Sequence, residues 1–159
     1  MTQAFSGRSA AWIADFIAKW APNGNASVTN LKLQGEYYRR TENGKLTFNG
    51  TPGDYASRQS GWYAQTVYQF MPRWRVGYRY DRLSHGTVSN GLGLTAAAAP
   101  LLLTDHNPSR NTLMADWSPT EFSRIRLQLA ADKSRAGVTD NQVLLQYIFS
   151  LGAHGAHTF

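Results

Sequence analysis

The sequence predicts an all-β protein: an antiparallel up-and-down transmembrane β-barrel with about seven strands in this chain, read as the C-terminal part of a larger barrel. Three observations predict it. Apolar and polar residues alternate with period two in segment after segment, which is the strand period. The connections between these segments alternate short and long, as in membrane barrels with short turns at one end and long loops at the other. Finally, 13% of the 159 residues are aromatic and only 16% are charged, against about 25% charged in an ordinary soluble domain.

Other classes fall away on composition. No stretch approaches the roughly 20 apolar residues of a membrane helix, and mean hydropathy is −0.42. Many aromatic and β-branched residues argue against disorder. Cysteine is absent, which excludes disulfide staples, thiolate zinc sites and cysteine nucleophiles. The length suits one domain, residues 1–159.

Residues 1–9 are too few for a spanning strand with its turn and are read as disordered or truncated. They show no basic region followed by an apolar core, so no signal peptide is expected there. Residues 10–21 fit a strand with Trp12, Ala14, Phe16, Ala18 and Trp20 on one face. They also fit a helix with Trp12, Ile13, Phe16, Ile17 and Trp20 on one stripe. The strand is preferred because the turn after it matches the others.

Residues 30–40 set Leu31, Leu33, Gly35 and Tyr37 against Asn30, Lys32, Gln34, Glu36 and Tyr38. Residues 62–70 set Trp62, Ala64, Thr66, Tyr68 and Phe70 against Tyr63, Gln65, Val67 and Gln69. Next, Trp74, Val76, Tyr78 and Tyr80 oppose Arg75, Gly77, Arg79 and Asp81. Leu113, Ala115 and Trp117 oppose Thr112, Met114 and Asp116. Residues 124–132 set Ile125, Leu127, Leu129 and Ala131 against Arg124, Arg126, Gln128 and Asp132. The last segment, 143–151, sets Val143, Leu145, Tyr147, Phe149 and Leu151 against Leu144, Gln146, Ile148 and Ser150.

Short connections at 22–25, 71–73 and 118–120 each carry proline, and the first adds Asn23-Gly24, both turn formers. Long ones are expected at 40–60 and 82–109, and a medium one at 133–140. Successive hairpins then put all short turns at one end. Trp20, Phe70, Trp74, Trp117 and Phe122 gather beside those turns, as a lipid-interface girdle requires. Seven strands also make an odd count for a closed bacterial barrel, so the chain is read as part of a larger barrel or one that closes by oligomerising.

The polar face is read as pore-lining: Lys19, Lys32, Glu36, Arg75, Arg79, Asp81, Asp116, Arg124 and Arg126. With Arg40, Asp15 and Asp132 this makes seven cations against five anions, a mildly basic lumen that favours anions. The alternative is that arginine–carboxylate pairs, such as Asp116 with Arg124 or Arg126, simply brace the wall. Cations and aromatics lie on opposite faces, so nucleic-acid binding, which needs them on one, is rejected. The apolar stretch 96–103 inside a long connection is expected to constrict the lumen or cap the barrel mouth.

Residues 142–159, ending Gln146-Tyr147-Ile148-Phe149-Ser150-Leu151-Gly152-Ala153-His154-Gly155-Ala156-His157-Thr158-Phe159, resemble the last strand of a Gram-negative outer-membrane protein. Phe159 resembles the aromatic terminal signal presented to the barrel-assembly machinery. The blocks Lys19-Trp20-Ala21-Pro22-Asn23-Gly24-Asn25, Gly61-Trp62-Tyr63 and Phe70-Met71-Pro72-Arg73-Trp74-Arg75-Val76-Gly77 resemble a porin-like proteobacterial family. Its members are often described as zinc-regulated, TonB-dependent outer-membrane receptors. The resemblance implies the outer membrane as location, lipid as surroundings, and passage of a small solute or ion, metal ions included. The chain departs from a full receptor in showing no plug and no TonB-contacting segment, so a passive porin-like barrel is expected.

His154 and His157 are candidate metal ligands, although strand spacing of three puts them on opposite faces. No cofactor is expected and no enzyme: Gly91-Leu92-Gly93-Leu94 lacks the strand–turn–helix setting of a nucleotide site. Two other functions fit the same segments: an adhesive or structural outer-membrane barrel acting through its long loops, and a soluble ligand-binding barrel.

Overall fold

Seven antiparallel strands follow one another across a single sheet in the order of the chain. The computed structural model describes residues 3–95, 99 and 103–151. The strands are β1 (Gln3–Trp20), β2 (Asn30–Phe48), β3 (Thr51–Met71), β4 (Trp74–Asn90), β5 (Ser109–Thr120), β6 (Ser123–Lys133) and β7 (Asp140–Phe149). Every neighbouring pair is antiparallel. No helix among the described residues is long and apolar enough to cross a membrane, which says nothing of strands.

Two expectations about the chain's course need correction. Residues 3–9 are not disordered; they extend β1, which pairs with β2 without interruption from Gln3↔Phe48 to Trp20↔Leu31. The strand form of residues 10–21 therefore prevails over the helix, because β2 supplies a hydrogen-bonding partner along its whole length. The second correction concerns residues 41–59, which form no long loop. β2 and β3 run on as one hairpin to a two-residue turn at Asn49-Gly50, with φ of 48° and 87°. Positive φ at both central residues defines the turn whose twist suits a hairpin, and Asn-Gly is its preferred sequence. β4 likewise continues to Asn90, leaving 91–108 as the long connection.

The other turns are tight. Pro72-Arg73 joins β3 to β4, with Pro72 at the position proline pre-sets and Arg73 at φ 71°. The Arg73 guanidinium donates to the Pro119 carbonyl at 2.8 Å, tying this turn to the neighbouring one. Glu121-Phe122 joins β5 to β6, two residues later than proline placement suggests, because a register shift past Trp117 carries β5 on to Thr120. In this up-and-down order the connections after β1, β3 and β5 share one end, and those after β2, β4 and β6 share the other.

The sheet does not close on itself among the described residues. β1 pairs only with β2 and β7 only with β6. Every residue of β1 is exposed. Both edge strands carry apolar side chains on both faces: Trp12, Phe16 and Trp20 against Ile13 and Ile17 in β1, Val143, Leu145 and Tyr147 against Leu144 and Ile148 in β7. Edge strands that end in water usually carry charges, proline or bulges to discourage further pairing; β1 has Arg8, Asp15 and Lys19 and β7 has Asp140, but neither strand holds a proline or a bulge.

Little is buried. Among the described residues the buried apolar side chains are Leu46, Tyr55, Ala99 and Ala130. Leu46 and Tyr55 belong to the far half of the β2–β3 hairpin, where the pattern inverts. Up to residue 40 the face bearing Leu31, Leu33 and Tyr37 is apolar. Beyond it that face carries Asn43, Lys45, Asp54 and Arg58, and the other face gathers Phe5, Leu46 and Tyr55. Phe5 and Tyr55 meet edge to face at 5.8 Å. The β4–β5 connection folds onto this cluster: Gly91 donates to Asp54 at 2.7 Å, and Leu92 fills the space beside Gly53. Among the described residues no second layer covers the exposed apolar face of the lower sheet.

Candidate functional site

Residues directly opposite in adjacent strands lie on one face, so a continuous register decides which charges meet. Followed across the sheet, it puts all nine residues read as pore-lining on one face: Lys19, Lys32, Glu36, Arg75, Arg79, Asp81, Asp116, Arg124 and Arg126. Arg110 joins them. It was missed because the strand reading began at residue 112, whereas β5 starts at Ser109.

Asp116 is the centre of the arrangement. It stands opposite Arg75 of β4 and opposite Arg126 of β6, and its side chain is 1% exposed. Arg126 takes both carboxylate oxygens in a fork, Nε to Oδ1 at 2.7 Å and Nη2 to Oδ2 at 2.9 Å, the strongest form of such a pair. Arg124 stops at 3.8 Å from Oδ2, too far for a hydrogen bond. Nε of Arg75 and Nε of Arg124 are both buried without a hydrogen-bond partner. Arg79 is committed elsewhere: it forks onto Asp81 at 2.6 to 3.0 Å, and its guanidinium carbon sits 3.8 Å from the centre of the Tyr63 ring, within cation–π range. Arg110 bridges Asp132 at 3.6 Å and donates to Gln142 at 3.0 Å.

Wall bracing and surplus positive charge thus coexist. Arg126 and Arg79 brace. Lys32 and Arg75 have no carboxylate within 4 Å among the described residues. The charges are also sorted by height, which the sequence count of seven against five hides. One register row holds Asp15, Glu36, Tyr63, Asp81, Arg110, Asp132 and Asp140. Nearer the short turns lie Lys19, Lys32, Arg75, Arg124 and Arg126, with Asp116 among them. Between Lys32 and Arg126 the face is hollowed into an open recess of about 240 Å³.

The opposite face carries most of the rings, all five tryptophans among them. Trp20, Phe70, Trp74, Trp117 and Phe122 lie at or beside the short-turn end and are all exposed. Trp74 and Trp117 pair directly and stack at 5.8 Å. A second row was not foreseen. Trp12 meets Tyr37 at 5.8 Å and Trp62 meets Tyr80 at 5.3 Å, all on this face, at the level where the hairpin inverts. Trp12 and Trp20 are eight positions apart on β1, about 26 Å at strand rise. The legible signal was parity: all five tryptophans alternate onto the same face.

The described histidines are engaged. His85 Nδ1 lies 2.9 Å from Asn107 Oδ1, and His106 Nε2 lies 2.8 Å from the Lys133 carbonyl. Among the described residues no group of three His, Asp or Glu could hold a metal ion. His154, His157 and Phe159 lie outside the described residues.

No family model matches the chain, and no solved structure matches it. The chain is similar to an uncharacterized protein of Aquifex aeolicus (strain VF5), 36% identical over 161 residues that cover 98% of this chain and 32% of that protein. It therefore spans about a third of the length of the curated relative it matches.

Proposed function

We propose that this chain is part of the wall of a larger outer-membrane β-barrel that lets small solutes or ions through. The observation that carries the reading is the pair of aromatic rows bounding an exposed apolar band on one face, opposite a face of paired charges. Such a band meets lipid favourably, with indole and phenol groups at its two margins; the charged face then lines water. Two edge strands that pair on one side only among the described residues fit a sheet with more strands, and a relative about three times as long supplies a precedent for the length needed. Surplus cations and rings on opposite faces do not favour nucleic acid as a partner.

On this reading the partners are outer-membrane lipid, the barrel-assembly machinery through Phe159, and a small solute or ion. The resemblance to porin-like receptors enters without TonB coupling. A metal ion as the solute finds no support in the described histidines. The ordered β2–β3 hairpin beyond the upper row also suits a second reading, a barrel that makes contacts through its outer end.

The test is depth. Single-tryptophan variants of the full-length protein are reconstituted in vesicles with lipids brominated at known positions. Trp12 and Trp62 should be quenched best near one headgroup level, Trp20, Trp74 and Trp117 near the other, and Trp placed at Leu129, midway between the two rows, near the bilayer centre. Quenching that ignores bromine depth, or a protein that stays dispersed without detergent, sinks the membrane reading.

A further inference from the structure

We propose that the recess on the charged face is a binding site for a small oxyanion, held by Arg75, Arg124 and Lys32. The proposal deepens the reading of a solute-passing barrel and rests on it for its role, although the site itself is complete within this sheet. Five cations line the recess, Lys32, Arg75, Arg79, Arg124 and Arg126, against one carboxylate, Asp116. That carboxylate is spent on Arg126, and Arg79 is spent on Asp81. Three cations remain without a short hydrogen bond to any carboxylate.

The orphan donors point the same way. Buried polar atoms in native proteins are nearly always hydrogen-bonded, and each exception calls for a cause. Here two exceptions, Nε of Arg75 and Nε of Arg124, flank one carboxylate that faces a third arginine. An oxyanion in the recess would take charge-assisted hydrogen bonds from the terminal Nη groups of both guanidiniums, whose Nε atoms are closed off from it, and the Lys32 ammonium would offer a third donor from β2. The space suffices: about 240 Å³ equals about eight waters at their liquid volume. Asp116 has a positioning role here. By holding Arg126 in its fork it leaves the other two guanidinium groups for the ligand, and it keeps the cluster's charge low enough to assemble. Wall bracing alone accounts for Arg126 and, through its longer 3.8 Å ion pair with Asp116, for part of Arg124, and not for Arg75.

The class of ligand is a phosphate or carboxylate, free or carried on a small solute. Isothermal titration of the detergent-solubilised full-length protein with inorganic phosphate and, separately, with succinate reads the site without needing a pore. The arms tell which oxyanion is preferred; binding of either supports the proposal. The Arg75→Gln/Arg124→Gln variant should bind at least about tenfold more weakly, since it loses two charge-assisted donors. Arg135→Gln, in the β6–β7 connection, should bind as the parent does. Should the double variant fail to fold, Lys32→Gln is read in its place and should also bind more weakly. Parent protein that binds neither anion, or variants that bind as tightly as the parent, overturn the proposal. Planar-bilayer recording separates the two readings: binding without any conductance leaves the oxyanion site standing and removes the solute-passing barrel.

Discussion

Asp15 stands directly opposite Glu36 across β1 and β2, and four residues further along the same pair Lys19 stands directly opposite Lys32. Like charges directly opposite each other destabilise a sheet by tenths of a kcal/mol. Exchanging Asp15 with Lys19 would pair each charge with its opposite at no change in composition. Between β1 and β2 the sheet instead keeps acid opposite acid and base opposite base, at a cost in stability. Such a cost is what a surface sorted for a passing ion would show, and what a wall built only for strength would not.

Asp15→Lys should therefore stabilise the sheet, by about 0.2–1 kcal/mol, by setting a lysine opposite Glu36. Urea unfolding from vesicles measures it. In the same variant the acidic row loses one of its charges, so ion selectivity should move toward anions. A variant that is less stable than the parent would show that the acid pair is held by something other than charge sorting.

Asp116→Asn should be among the costliest polar substitutions in the chain. Removing one partner of a buried pair leaves the other charge uncompensated, which costs about 3–5 kcal/mol; the partial exposure of Arg126 puts the expectation at the lower end. The double variant Asp116→Asn/Arg126→Gln should recover part of the loss, because it removes the stranded guanidinium as well. Additive losses in the double-mutant cycle would mean that the two residues do not act as a pair.

How far the sequence foretold this arrangement depends on where the alternation is clean. Trp74 to Asp81 alternates without a break, and the strand, its two faces and its charged residues all emerged as read. The upper hairpin did not, because its polarity inverts past residue 40: Asn43 and Lys45 continue the face of Leu33, and Leu46 continues the face of Lys32. A period-two pattern that changes sign looks like no pattern. The Asn49-Gly50 pair was the available signal, since Asn-Gly between strand-forming residues favours a two-residue hairpin turn. At the charged face, residue types and parity announced the cluster, while the choice of Arg126 over Arg124 as the partner of Asp116 needed the register and the side-chain conformations. The expected closure is not seen: among the described residues β1 pairs only with β2 and β7 only with β6, and alternation within strands carries no signal for which edges meet.

Gly86 should tolerate no side chain. It sits at φ 64° where β3 and β4 slip in register around Gln59. A Cβ there would fall 1.8 Å from the Arg58 carbonyl oxygen, and the left-handed backbone adds about 1–2 kcal/mol for any non-glycine residue. Gly86→Ala should unpair the upper part of β4 and leave Trp74 to Asp81 intact, since β5 holds that lower part from its other side. Hydrogen exchange resolved by residue is the measurement: faster exchange at 83–90 with unchanged protection at 75–80 is expected. Unchanged protection throughout would mean the slip relaxes without cost.

The last prediction uses two neighbours that differ only in the face they occupy. Gln128 and Leu129 are adjacent near the middle of β6, and alternation sends Leu129 to the apolar face, midway between the aromatic rows, and Gln128 to the charged face. If the apolar face meets lipid, Leu129→Arg should cost about 2–4 kcal/mol, the penalty for an arginine near the bilayer midplane. Gln128→Arg adds the same charge one residue away, facing water and the recess, where its penalty is limited to repulsion from the surrounding arginines. Folding free energies from vesicles should therefore separate the two by more than about 1.4 kcal/mol, a tenfold difference in the folding equilibrium. Raising the salt should narrow the penalty of Gln128→Arg, because charges exposed to water are screened over about 8–10 Å, and should leave that of Leu129→Arg unchanged, since no mobile ions reach a lipid-facing side chain. Equal costs for the two arginines, both relieved by salt, would mean that water bathes both faces and that the aromatic rows mark something other than the margins of a membrane.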